Sequence, residues 1–393
     1  MQHTHHSGAH RHATLVTIGS LIVAACSPRA ATSESVLLPP KTTVGNTATR
    51  PASNVVALSV NHSSRGQNVP ETTVTVCVPG TTTCQVIPHI QVDTASTGLR
   101  VYAAALKLDL PEEVGAHGER IGDCAWNYWG YLHTADVQLA GLKARSLPIQ
   151  VIEPAGFRPP ECKEDRDYNP DNYNGMIGVS PALTDTMPSA YFTCDASGCA
   201  SNRVDASLQV ANVIASFPTD NNGCVLQFPQ IPTTGTEAVT GRMIFGIGTR
   251  ANNQLPKDLV PIVVDETWGQ FKVEVDGRLW ISAFDSGTWS YNVPYLSDAL
   301  CPNDPVRLCP SSPLTIAVDV LSASGDFAYK TSIAVANYRE FSSQVMALND
   351  LGTAWPGSTQ FMLGLPYFFG RSVYFAYDRR PTSVGPGPWV GAR

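Results

Sequence analysis

The sequence predicts a mainly β protein built from two related halves. Three observations carry this. The 393 residues include 31 glycines and 30 prolines but only 15% charged residues, a composition of strands and turns. Apolar and polar residues alternate with a period of two in run after run. An acidic, small-residue turn also occurs twice, each time after an apolar strand. A chain of this length has room for one or two lobes with sizeable cores.

Residues 1–26 have the pattern of an export signal. Histidines and Arg11 precede the apolar run ATLVTIGSLIVAA, which is too short for a good membrane span. It ends in Val23-Ala24-Ala25-Cys26, which resembles the bacterial lipobox, where the cysteine is lipidated; an ordinary cleaved signal is the other reading. A lipid at Cys26 anchors a protein to a membrane without spanning it. Residues 27–52 are small, polar and proline-rich, a flexible tether.

Export places the remaining nine cysteines in an oxidising compartment. Three pairs close short loops: Cys77 with Cys84, Cys194 with Cys199, and Cys301 with Cys309. Cys124 with Cys162 is a guess that leaves Cys224 over. Zinc is the rival reading, but no C-x-x-C pair with histidine spacing occurs.

Strand patterns follow in order. Thr73–Val78 alternates cleanly, and similar runs are VQLAGLKARSLPIQVI, RMIFGIG, GQFKVEVDGRLWISAF and RSVYFAY. Helical spacing is sparse. Tyr338, Phe341, Val345 and Leu348 predict a helix in NYREFSSQVMALNDLG, and YAAALKLDL reads as a short helix.

Several chemistries find no support. The net charge is −7 with no basic cluster, which speaks against a nucleic-acid partner. No G-x-S-x-G or H-E-x-x-H occurs, and five of the nine histidines lie in the leader. Asp165, Asp167, Asn169 and Asp171 alternate like a calcium loop but lack its Gly and Glu positions. Gly246-Ile247-Gly248 lacks the third glycine of a nucleotide loop and reads as a strand end.

The recurring turn is the informative feature. VDTAS carries Asp93, and FDSGT carries Asp285. Each is followed by two hydrophobic residues and a glycine: Met176-Ile177-Gly178, then Met362-Leu363-Gly364. Gly178 lies 85 residues after Asp93, and Gly364 lies 79 after Asp285. Two motifs, twice in the same order at similar spacing, are far more specific than one D-S-G.

At these residues the chain resembles the pepsin-like aspartic proteases over about 65–385. The resemblance implies a bilobal fold of two antiparallel β lobes around a central cleft, with an N-lobe at 53–238 and a C-lobe at 239–393. It implies that Asp93 and Asp285 share a proton and activate a water against a peptide bond, without metal or organic cofactor. Thr94 and Ser286 would tie the two loops together, and Ser96 and Thr288 would bond the outer carboxylate oxygens. A tiny residue, as at Gly287, lets backbone N–H groups reach the carboxylate. There are two departures. Ala95 stands where the family has glycine, adding a methyl that disfavours positive φ. The flap hairpin looks shortened, with Tyr128 in the sequence CAWNYWG as the stand-in for the flap tyrosine.

The motifs VDTASTGLR, DNNG, FGIGTRANN and GLPYFFGR also resemble a bacterial family of exported lipoproteins without assigned function. The expectation is therefore a monomeric, lipid-anchored peptidase of the cell envelope acting on a peptide or protein. The alternative is a catalytically silent module binding a partner in the same cleft.

Overall fold

Strands dominate the chain: some alternate burial, as Phe271–Val275 does, and others, such as Thr97–Tyr102 and Gly175–Val179, are buried at every position. In the computed structural model the described residues are 54–393 except 65, 114–116, 122–127, 154–172, 187–189, 196–197 and 356. The leader, the tether, Cys26, Cys124, Cys162 and the Asp165–Asp171 loop lie outside them.

One sheet runs through both halves of the molecule. The strand Val55–Val60 pairs antiparallel with Val239–Phe245, Val55 opposite Ile244. Beyond Val239–Phe245 come Gly223–Gln227, Ser372–Ala376 and Trp389–Ala392. Both faces of this region are apolar, because both are covered. Leu226, Met243, Phe245, Val373 and Phe375 enter the main core, while Val225, Ile244, Tyr374 and Ala376 pack with Leu259 and Trp389. Residues 50–393 accordingly form one unit, and 239–245 share a sheet with strands of the first half.

The second half adds a four-stranded sheet in the order Arg278–Ser282, Phe271–Val275, Leu314–Leu321, Phe327–Val335. Its first hairpin turns at Asp276-Gly277, with φ of 49° and 73°, the positive pair a two-residue turn requires. Val273, Val275, Val318, Val320 and Val335 face the core.

Each acidic turn is clasped between two strands. Cys84–Asp93 runs parallel to Gly175–Val179, Asp93 opposite Gly178, and Thr97–Tyr102 returns antiparallel to the same strand. In the second half Phe284–Asp285 runs parallel to Met362–Gly364, Asp285 opposite Gly364, and Tyr291–Asn292 returns antiparallel. The two hydrophobic-glycine elements are these central strands. A Cβ on Gly178 would collide with the backbone of Ser96 and Thr97, and one on Gly364 with the carbonyls of Thr288 and Ser290. Only glycine allows so close an approach.

Two helix expectations are corrected. Residues 337–352 form a single 3₁₀ turn, Tyr338–Glu340, capped by the Asn337 side chain. The amides of Met346 and Ala347 then bond the Thr236 carbonyl instead of continuing a helix. The apolar spacing arises because Val345, Leu348 and Leu351 pack with Trp289, Tyr338 and Phe341. In YAAALKLDL only Ala103–Ala105 is helical, again one 3₁₀ turn.

The disulfides Cys77–Cys84 and Cys301–Cys309 are formed. Cys199 is disulfide-bonded, and Cys194 lies opposite it in the antiparallel register. Cys224 is a free, buried thiol. Burial pushes its pKa up to about 12, so it is held as the inert neutral form.

Candidate active site

Asp93 and Asp285 end their strands and enter matching turns. The Ala95 amide donates to Asp93 Oδ1 at 2.8 Å, and the Ser96 hydroxyl donates to Asp93 Oδ2 at 2.7 Å. The Gly287 amide donates to Asp285 Oδ1 at 2.8 Å, and the Thr288 hydroxyl donates to Asp285 Oδ2 at 2.6 Å. Each carboxyl thus has one oxygen on an amide and the other on a hydroxyl, with the same atoms in the same roles.

The turns are stitched to each other. The Thr94 hydroxyl donates to the Phe284 carbonyl at 2.7 Å and accepts the Ser286 amide at 2.9 Å. The Ser286 hydroxyl donates to the Val92 carbonyl at 2.7 Å. Both side chains are buried, so these bonds cannot be exchanged for water at no cost.

The two carboxyls converge on Gly287. A Cβ built there would lie 2.7 Å from Asp93 Cγ and Oδ1 and 3.1 Å from Asp285 Oδ1. Asp285 is buried and Asp93 half-buried. Burial pushes the Asp285 carboxyl up to about 7, and the neighbouring charge of Asp93 and a hydrogen bond with it push the same way. The Thr288 hydroxyl and the Gly287 amide pull it partly back by stabilising the charged form. Two acids this close resist double ionisation, so the pair retains a proton well above the ordinary carboxylate range.

Ala95, the departure in the first turn, keeps its amide on Asp93 and is not among the residues with positive φ. Its methyl is accommodated without backbone strain. Tyr128 opens the strand Tyr128–Leu139, which pairs antiparallel with His117–Ile121. It is half-buried beside Tyr102, Ile152, Tyr173 and Met176. That cluster touches the first turn, since Met176 Sδ receives the Ser96 hydroxyl at 3.8 Å. Residues 122–127, with Trp126, lie outside the described residues.

Gln91 joins the site from outside the two turn motifs. Its side chain donates to the Gly287 carbonyl at 3.2 Å, joining the first strand to the second turn. The available signal was alternation: Gln91 sits two before Asp93 and so shares its face of the strand. Two hydroxyl pairs behind the turns, Thr97 with Ser180 at 2.6 Å and Ser290 with Thr353 at 2.8 Å, gave no sequence signal.

No curated protein matches the chain. Among solved structures, the aspartic proteinase from Irpex lacteus superposes with a TM-score of 0.53. The match covers 86% of this chain and 96% of that one, at 15% identity. At that identity the likeness establishes the fold, a bilobal pepsin-like β architecture. The family described as protein of unknown function, DUF3443, matches residues 50–391, and the chain therefore belongs to that family.

Proposed function

We propose that the chain is an aspartic-type endopeptidase of the bacterial cell envelope. The observation that supports it most is the matched cradle: two acids, each on one amide and one hydroxyl, facing each other across Gly287. At a pH between the ordinary carboxylate range and about 7 the pair holds one proton. The charged carboxyl takes a proton from water as the water attacks the peptide carbonyl. The protonated carboxyl then supplies the proton that the leaving nitrogen needs. The reaction uses no metal and no organic cofactor, and the peptide lies in the cleft between the lobes. Tyr128 acts as the flap side chain.

The leader 1–26 directs export, a lipid on Cys26 anchors the chain, and 27–52 tethers the catalytic unit to the membrane. The alternative, a silent binding module, draws on Ala95 and on the short flap. The retained Ala95 amide and the lack of a positive φ there weaken the first point, and the second falls on 122–127, outside the described residues.

Hydrolysis of a casein-like substrate across pH tests the activity. We expect cleavage on the acid side that fades as pH rises through about 7, the Asp285 value. The Asp285→Asn variant should lose at least about 10²-fold in rate. Folded protein that cleaves nothing at any pH would leave the binding role. A Cys26→Ser variant that still carries a lipid by mass spectrometry would sink the anchor.

A further inference from the structure

Each acidic turn ends four residues after its acid, at Thr97 and at Trp289. The carbonyl at each of these equivalent positions is held by a buried side chain. Arg100 Nη1 donates to the Thr97 carbonyl at 2.6 Å. Asn68 Nδ2 donates to the Trp289 carbonyl at 2.8 Å. Both side chains belong to residues that are 0% exposed. One donor is a guanidinium three residues further along the same strand, Thr97–Tyr102, and the other is an amide 221 residues away in sequence. Unrelated groups have reached the same point of the pseudo-symmetric pair.

We infer that Arg100 and Asn68 are positioning residues, which hold the two turns at the separation that lets Asp93 and Asp285 share a proton. This rests on the paired-acid reading above.

Arg100 is fixed in turn. Its guanidinium forms a buried ion pair with Asp185. The Tyr191 hydroxyl donates to the Asp185 carbonyl at 3.0 Å and accepts the Val210 amide at 2.9 Å. Val210 packs against Gly98, inside the segment that Arg100 holds. Because Asp185 compensates the positive charge, what Arg100 delivers to the turn is geometry more than field.

Asn68 uses its whole amide. Nδ2 donates to the Leu348 carbonyl as well as to Trp289, and Oδ1 accepts the Leu348 amide, all at 2.8 Å. Its own amide donates to the Met346 carbonyl at 2.7 Å. Asn68 sits at φ 55°, a conformation asparagine tolerates better than most residues. These bonds join the segment before Glu71–Cys77 to the residue that follows Thr288. If Trp289 drifts, the turn from Asp285 to Thr288 drifts with it as a unit, keeping its own two bonds on the acid while Asp285 moves away from Asp93. The interaction between the acids then weakens with their separation.

The test is the carbon-13 NMR titration of the Asp93 and Asp285 carboxyls in the full chain, for wild type, Asn68→Gly and Arg100→Lys. Glycine accepts the positive φ and removes only the amide. Lysine keeps the charge opposite Asp185 but cannot serve two acceptors with a planar fork. The raised step, at about 7 in the wild type, should move down by about one pH unit or more in each variant. Both variants should still melt cooperatively. Should the glycine variant not fold, Asn68→Ser repeats the test, because its hydroxyl is too short to reach the Trp289 carbonyl. Variants that melt lower yet titrate like the wild type overturn the inference and leave both residues as scaffold. A wild type whose two acids titrate independently overturns the paired-acid reading instead.

Discussion

The two acidic turns differ at one atom of consequence, the Cβ of Ala95. Its partner position, Gly287, has no room for one, because the Asp93 carboxyl occupies that space. Gly287→Ala should therefore wedge the acids apart and cost about 10²-fold in activity, the scale expected for misplacing a reacting group. Ala95→Gly should do the opposite of what a glycine-loving turn suggests. It should lower stability by about 0.4–1 kcal/mol in urea unfolding, because Ala95 already fits its φ and restricts the unfolded chain. Asp93→Asn separates the causes of the Asp285 shift. Removing the neighbouring charge should lower the Asp285 titration, yet leave it above the ordinary range, since burial is the larger cause. An Asp285 that titrates near 3.8 in that variant would contradict this order of causes.

At the scale of elements, the central strands Gly175–Val179 and Met362–Gly364 explain why each acid needs a distant glycine. Gly178→Ala or Gly364→Ala should force the backbones of the turns apart. We expect a loss of several degrees in melting temperature together with loss of the raised Asp285 titration. The disulfide Cys301–Cys309 closes a loop with a separation of 8 residues, so replacing both cysteines by serine should cost about 2–3 kcal/mol in denaturant unfolding. These features were legible to different degrees, for physical reasons. The acids, their hydroxyls and the bracing glycines repeat locally, so the sequence displays them. Gln91, Asn68 and Arg100 act on partners in another turn or through a carbonyl, and a carbonyl has no sequence signature. Residues 337–352 misled because apolar side chains surrounding Trp289 from an irregular segment imitated a helical period.

For the whole molecule, pH acts through two opposing sets of carboxyls. Asp285 has a raised folded-state value, so its contribution to stability is fully present below about 3.8 and is lost as pH rises towards about 7. Burial also pushes Asp136, Asp220 and Asp304 upward. It is outweighed by the Ser146 and Gly80 amides at Asp136, by Arg250 and Thr249 at Asp220, and by Arg307 and Val306 at Asp304. Those three are held below 3.8, so their contributions are present above it and are lost as pH falls through their lowered values. Urea unfolding across pH should therefore show a maximum in the acid range. Asp285→Asn should flatten the decline between about 4 and 7.

The shared sheet has a mechanical consequence. Val239–Phe245, from the far side of the connection at 229–238, is inserted between Val55–Val60 and Gly223–Gln227. Residues 232–234 in that connection are exposed. A single cut there would sever the chain but leave the pieces interlocked like two hands with fingers meshed. The nicked protein should elute intact from a sizing column and separate only in denaturant. The halves expressed apart should each be insoluble and regain structure when refolded together.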